Sequence, residues 1–319
     1  MCGIAGAFSL NGQVAPSDVA IAMGELMTHR GPDNFGSYVD QRIAMTHNRL
    51  SFLDLSPAGN QPFCNDRYAL SYNGEIYNFK ALRAELERSN EVRFRSTSDT
   101  EVLFHCLATY GIEATLEKLR GMFAFAFFDK HESVLYLARD RMGIKPLYYV
   151  QRDKKIYFAS EIKALSQRLG LLPDPVRTLF AANNMAEKST EFTLFKGVKS
   201  VGPGSYVVCK PGEIPTSHTY YDVVDEFDPD YYNELARYDG TAIVDTFDEL
   251  LVASLESMMV SDAPVGAFVS GGIDSSLLSA LAAKRNSDIK LFTANIKGKY
   301  SEYSDVETLS RYLGKPVFS

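Results

Sequence analysis

The sequence predicts a chain in two parts, an α+β domain built on antiparallel strands followed by an α/β domain with a parallel sheet. Three observations carry this expectation. In the first 160 or so residues the strand-like runs are mostly adjacent and hairpin-connected, with helices between them. From residue 243 the pattern changes to strand, helix, strand, helix, the mark of a doubly wound sheet. Between the two, residues 210–240 are rich in Pro, Asp and Tyr with little periodicity, which suits a linker. The expected division is a first domain over residues 2–210, a linker over 211–240 and the start of a second domain over 241–319. A chain of 319 residues with 45% apolar content can fill two cores.

Taken in order, residues 3–8 read as a buried strand ending near the Asn11-Gly12 turn, and residues 17–28 place Val19, Met23, Leu26 and Met27 at helical spacing. The run His29-Arg30-Gly31-Pro32-Asp33 is a loop by its Gly-Pro content. Strands follow near 36–40, 42–47 and 68–72, the last ending on Asn73-Gly74, a turn signal. Residues 79–89 are helical by pattern, and Ser98-Asp99-Thr100-Glu101 is a capping box leading into a helix over 102–110. Strands over 122–129 and 133–138 are joined by a polar turn. Residues 140–146 form a loop before strands at 147–150 and 156–159. In the second part, helix 243–259 leads to strand 265–269 and a glycine loop at 270–276. A helix over 277–284, strand 291–296, helix 304–313 and the beginning of a strand at 316–318 complete the chain.

A net charge of −7 gives no footing for nucleic acid or an anionic membrane surface. Four cysteines, Cys2, Cys64, Cys106 and Cys209, stand without CxxC spacing, which argues against a zinc site or a disulfide framework and for a reducing compartment. The first ten residues lack a basic leader, and no stretch approaches the about eighteen apolar residues of a membrane span. The expectation is a soluble, cytoplasmic protein without nucleic-acid or membrane partners.

The chemistry begins at the second residue. Removal of Met1 would leave Cys2 carrying both a thiol and a free α-amine. An α-amine titrates at about 7.7–8.0 and a thiol at about 8.5, so one residue supplies a nucleophile and its own general base. Taken alone, a cysteine after the start methionine is more readily read as an accident of position. Three further stretches supply what an amino-acid amide hydrolase requires. Arg49 can clamp a carboxylate bidentately, or form a surface ion pair. Asn73 and Gly74 can set a side-chain amide beside a backbone N–H as an oxyanion hole. Asp99, in the first turn of a capped helix, can receive an α-ammonium group or simply favour the helix dipole.

Those residues sit in a series of motifs: Met-Cys-Gly-Ile at 1–4, His-Arg-Gly-Pro-Asp at 29–33, Arg-Leu-Ser at 49–51, Tyr-Asn-Gly-Glu-Ile-Tyr-Asn at 72–78, Ser-Asp-Thr-Glu at 98–101, Gly-Met-Phe-Ala-Phe at 121–125, Ala-Arg-Asp-Arg-Met-Gly-Ile-Lys-Pro-Leu-Tyr at 138–148 and Ala-Ser-Glu-Ile-Lys-Ala-Leu at 159–165. Their identity and order resemble the class II glutamine amidotransferase domain of glutamine-hydrolysing asparagine synthetases. The resemblance implies an αββα sandwich of the N-terminal-nucleophile type. It also implies that Cys2 attacks the glutamine side-chain amide, with Asn73 and Gly74 holding the oxyanion. By the same resemblance Arg49, Leu50, Ser51, Phe52, Leu53, Glu75 and Asp99 join Asn73 and Gly74 in holding glutamine, and the loop at 29–33 lies near the mouth of the site. In that family the ammonia passes internally to a second site.

The second loop, Ser270-Gly271-Gly272-Ile273-Asp274-Ser275-Ser276, lacks the Gly-Lys-Ser/Thr of a Walker A loop. Placed between a strand and a helix it is an anion cradle of backbone N–H groups and hydroxyls. It resembles the pyrophosphate loop of ATP pyrophosphatases, which implies ATP at Ser270, Gly271, Gly272, Ser275 and Ser276, bordered by Val269 and Ala294. Asp274 is then the Mg²⁺ ligand, since a carboxylate suits that hard cation. The family's later Ser-Gly-Glu-Gly-Ser-Asp-Glu loop is absent from these residues. The expectation is therefore a complete glutaminase domain joined to a truncated synthetase domain, able to hydrolyse glutamine without making asparagine. The leading reading is ATP-dependent amidation of aspartate. A sugar-acid acceptor and a glutamine-sensing module stand as alternatives, and a homodimer is a family expectation only.

Overall fold

The computed structural model describes residues 1–88, 92–183, 192–295, 298 and 301–319. It divides into two compact units, Met1–Phe227 and Asp228–Ser319.

The first unit is built from β1 (Gly3–Ser9) outward. All seven residues of β1 are buried, and it lies antiparallel between β3 (Ile43–Arg49) and β9 (Lys155–Ala159). Period-two alternation sends Ile4 and Phe8 to one face and Ala5 and Ala7 to the other. With β2 (Asn34–Val39), β8 (Tyr148–Arg152) and β10 (Val198–Ser200), these strands form a sheet in the order β10-β8-β9-β1-β3-β2. A second sheet runs in the order β12-β11-β7-β6-β5-β4. Its strands are β4 (Phe63–Cys64), β5 (Tyr68–Ile76), β6 (Gly121–Asp129), β7 (Val134–Arg139), β11 (Ser205–Cys209) and β12 (Thr216–Thr219).

The two sheets close on one core, where Phe8, Met45 and Phe158 of the first meet Ala126, Phe128 and Leu137 of the second. Helices α1 (Ser17–Glu25) and α4 (Ile162–Leu169) bury Ala20, Met23, Ala164 and Leu165 against the outer face of the first sheet. Helices α2 (Phe79–Arg88) and α3 (Asp99–Lys118) pack on each other, and α3 lies against β5. The layers are helix, sheet, sheet, helix, as the sequence implies.

Three local features differ from the sequence reading. Asn73-Gly74 is not a turn. It lies inside β5, because β6 pairs with that strand along its whole length, Gly74 opposite Phe123. The helix expected to end at 110 continues to Lys118 across a kink, where Gly111 takes φ 77°. The stretch 211–240 contains β12 and α6 (Pro229–Leu235), and the Tyr220 hydroxyl donates to the Arg139 carbonyl at 2.8 Å. Residue 89 of the expected second helix and residue 296 of the expected strand lie outside the described residues. The structure adds α5 (Pro175–Ala182), whose N-terminus Asp174 caps.

The second unit begins with α6 and α7 (Gly240–Met258). It then alternates β13 (Gly266–Phe268), α8 (Ile273–Arg285), β14 (Lys290–Phe292), α9 (Tyr303–Leu313) and β15 (Val317–Phe318). The three strands are parallel, in the order β13-β14-β15. This matches the α/β expectation.

Candidate active site

Cys2 immediately precedes the central strand of the first sheet, so its backbone is fixed by the rows of β1 and β3, with Gly3 opposite Asn48. The Leu50 N–H, just past the end of β3, donates to Cys2 Sγ at 3.4 Å. From the other side Arg30 Nε donates to the Cys2 carbonyl at 2.9 Å. Arg30 is itself held by Glu161, whose Oε1 lies 3.1 Å from Arg30 and 2.8 Å from His29 Nε2, with Lys163 3.3 Å from Oε2. The chain must be thin here, because a Cβ on Gly3 would stand 3.3 Å from Met27 Cβ and 3.4 Å from Arg30 Cδ. Burial raises the Cys2 thiol pKa, against the opposing pull of the Leu50 N–H and the adjacent N-terminal amine. Burial lowers the pKa of the Met1 amine, and Arg30 and Lys145 act in the same direction.

β5 brings the next three expected residues to the sulfur. Asn73, Gly74 and Glu75 line a cavity of about 200 Å³ together with Met1, Cys2 and Lys145. Gly74 has no room for a side chain, since an added Cβ would sit 2.4 Å from the Met122 carbonyl oxygen. Asn73 is buried, and its Nδ2 has no hydrogen-bond partner among the described residues. An orphaned buried donor costs about 1–3 kcal/mol, so its place in a cavity with a thiol suits an acceptor brought by a ligand. Burial together with the Asp99 charge pushes Glu75 up to about 7, against the pull of Lys145.

Arg49, Leu50, Phe52, Leu53, Gly74 and Asp99 meet around a second, narrower cavity that also includes Cys2. Its volume is about 20 Å³, room for little more than one water. The Arg49 guanidinium already donates to Ser56 O and Asn60 Oδ1, both at 2.7 Å, and to Leu53 O and Asp54 O, bracing the loop that follows it. Ser51 is turned to the 29–33 loop, its N–H donating to Asp33 Oδ2 at 2.7 Å. Asp99 is buried at the start of α3, where Ser98 is the N-cap. Its Oδ2 accepts from the Tyr72 hydroxyl at 2.7 Å and the Ile76 N–H at 2.9 Å. Burial pushes Asp99 up to about 6, against these hydrogen bonds.

Lys145, which lines a cavity with Cys2, and Glu161, which holds Arg30, are residues that sequence reasoning left unassigned, while Arg30 belongs to the 29–33 loop expected near the mouth. Their only signal was membership in motifs, because no spacing links positions 2, 30, 145 and 161.

In the second unit the glycine loop sits between β13 and α8, as expected. Val269, Ser270, Ser275 and Ala294 line a cavity of about 430 Å³ with Thr293 and Tyr303. Ser270 Oγ and Ser275 Oγ lie 3.0 Å apart, and the Ser270 N–H donates to Ser275 Oγ at 3.2 Å, folding the loop on itself. Gly271 takes φ 87°, a conformation that favours glycine. Asp274 stands in the first turn of α8, and Gly271, Gly272, Asp274 and Ser276 are not among the lining residues. Among the described residues no cluster of three or more His, Cys, Asp or Glu could hold a metal ion. A single carboxylate beside hydroxyls fits Mg²⁺ arriving with a nucleotide better than a resident metal.

Comparison with known proteins agrees with both halves. A family model described as glutamine amidotransferase domain matches residues 1–221, and one described as asparagine synthase matches residues 246–316. Asparagine synthetase [glutamine-hydrolyzing] 1 of Bacillus subtilis (strain 168) is 35% identical over 98% of this chain and 49% of its own length. Asparagine synthetase B [glutamine-hydrolyzing] of Escherichia coli (strain K12) is 34% identical, over 89% and 45%. The amidase chry2 of Gibberella zeae is 35% identical over 81% and 38%. The chain thus spans half or less of the length of these relatives. Among solved structures, the glutamine phosphoribosylpyrophosphate amidotransferase of B. subtilis superposes with a TM-score of 0.53 at 18% identity, covering 94% of this chain and 67% of that one. That likeness speaks to the fold. No helix among the described residues is long and apolar enough to cross a membrane.

Proposed function

The chain belongs to the glutamine amidotransferase domain family, and from that premise we propose that it hydrolyses glutamine at Cys2 once Met1 has been removed. The thiol proton passes to the freed α-amine and the sulfur forms a bond to the side-chain amide carbon of glutamine. The carbonyl electron pair moves to oxygen, where Asn73 Nδ2 and the Gly74 N–H receive it. Collapse of this adduct expels ammonia, which takes the proton back from the ammonium. Water then cleaves the thioester to give glutamate and the free thiol. The observation that carries this reading is the buried, unpartnered amide of Asn73 in the cavity that contains Cys2. Arg49 and Asp99 hold the α-carboxylate and α-ammonium groups, with Leu50, Ser51, Phe52, Leu53 and Glu75 around them.

The ammonia is used in the second unit to amidate a carboxylate that ATP has adenylated, aspartate in the leading reading. There Ser270, Gly271, Gly272, Ser275 and Ser276 hold the phosphates, Val269 and Ala294 border the adenosine, and Asp274 meets Mg²⁺. A different acceptor is favoured by one observation: the amidase relative is as similar to this chain as the asparagine synthetase is.

A paired product assay on the full chain tests both halves. Glutamine, aspartate and Mg·ATP are supplied, glutamate and asparagine are quantified, and ammonia replaces glutamine in a parallel reaction. Glutamate release that falls at least about a thousandfold in Cys2→Ala is expected for a nucleophile. Undiminished release in that variant overturns the reading. Glutamate without asparagine in either reaction fits a glutaminase confined to the first unit, whereas asparagine from either nitrogen source shows that the second unit is competent.

A further inference from the structure

The cavity of about 200 Å³ beside Cys2 has a buried cation in its wall that the proposed steps leave unused, Lys145. Lysine is seldom buried without a paired carboxylate, and no salt bridge to Lys145 is found among the described residues. Its loop is built to hold it there. The Asp140 carboxylate accepts from the Phe123, Met142, Ile144 and Lys145 N–H groups at 2.9–3.2 Å. The Arg139 guanidinium donates to the Lys145 and Val201 carbonyls and to Ser200 Oγ at 2.7–3.0 Å, and also to the Gly143 carbonyl. A buried aspartate and a half-buried arginine thus fix the backbone around one lysine that lines the cavity containing Cys2.

We propose that Lys145 is a further residue of the glutamine-hydrolysing site, a fixed cation that stabilises the Cys2 thiolate from the cavity wall. This rests on the reading of Cys2 as nucleophile. The physical basis is Coulombic: a positive charge lining the same cavity as a sulfur favours the anion. It also favours the neutral form of the N-terminal amine, which keeps that amine unprotonated and available as a base. The groups facing Lys145 are Glu75 from β5, Asp140 from its own loop, Cys2 and the N-terminal amine from the start of β1, and Arg30 from the loop after α1. Asp99 and Arg49 face Cys2 from α3 and β3, and Asp33 faces the amine. Burial lowers the pKa of Lys145, while Glu75 and the Cys2 thiolate raise it. Arg49 is tied to its own loop and Arg30 to Glu161 and the Cys2 carbonyl, whereas Lys145 lines the cavity that contains Cys2.

The test is the pH dependence of Cys2 alkylation by iodoacetamide, read on the Cys2 peptide by mass spectrometry so that exposed Cys64 does not contribute. The full chain is compared with Lys145→Met and Lys145→Arg. In Lys145→Met the alkylation midpoint should rise by about one pH unit, making alkylation about tenfold slower at pH 7, and Lys145→Arg should restore it. A lysine that only filled space would leave the midpoint where it was, and an unchanged midpoint in Lys145→Met overturns the proposal. Lys145→Gln serves the same comparison if the methionine variant does not fold. Glutamate release in wild type and Cys2→Ala is measured alongside. Its failure would remove the reading of Cys2 as nucleophile, while the alkylation midpoint reports on Lys145 separately.

Discussion

Two buried carboxyls shape the site as much as the sulfur does. Burial raises both, and with the Asp99 charge added Glu75 is pushed up to about 7. For an acid whose folded pKa is raised, the stabilising contribution is fully present below its unfolded value of about 4.5 and is lost as pH rises through about 7. Wild type should therefore lose stability relative to Glu75→Gln between pH 5 and 8, by at most about 3 kcal/mol. Urea midpoints of the two proteins across that range measure it, and parallel curves would sink the idea. If Cys2 hydrolyses an amide as proposed, such a poised carboxyl beside it is suited to exchange protons with the departing amine. Asn73 carries the complementary feature, a donor without an acceptor until substrate arrives.

At the scale of elements, the site is a meeting of one strand from each sheet. β1 delivers Cys2, β5 delivers Asn73, Gly74 and Glu75, and the start of α3 delivers Asp99. The contact between β5 and β6 is so close at Gly74 that an added Cβ would stand 2.4 Å from the Met122 carbonyl oxygen and 2.7 Å from Phe123 Cα, both backbone atoms. Gly74→Ala should destabilise the protein by about 1–3 kcal/mol, since the backbone must move to admit the methyl group. It should also reduce glutamate release more than stability alone explains, because the displaced strand carries Asn73 and Gly74, the proposed oxyanion donors. Denaturant midpoint and kcat measured together check this, and an unperturbed kcat would show that β5 does not position the donors. The Arg30–Glu161 pair works on the same scale, tying the start of α4 to the Cys2 carbonyl.

At the scale of the molecule, the two units have unequal cores. The inter-sheet cluster of the first contains eighteen buried residues. The cluster of the second has four, Val269, Leu291, Val306 and Leu309. Helix α7 exposes Val244, Phe247 and Leu250. Burial of apolar area is the main favourable term in folding, at about 25 cal/mol per Å². The second unit should therefore unfold at lower urea than the first, so that unfolding departs from two-state behaviour. Limited proteolysis in rising urea should cut residues 228–319 first and leave residues 1–227 intact, and simultaneous loss of both would contradict it.

The sequence alone determined the fold class of each part and placed a thiol at its second residue. Strand and helix periodicities are local, and a thiol and its own α-amine are neighbours by covalent connection. The glycine loop between a strand and a helix was legible for the same reason, as was the capped start of α3. The tertiary structure decided what depends on pairing between distant strands. Asn73-Gly74 reads as a turn in isolation, and only the long ladder with β6 carries the strand through it. Lys145, Arg30 and Glu161 lie far from residue 2 in the chain. Only the packing of two sheets and their loops brings them to the nucleophile, and no local pattern encodes that register.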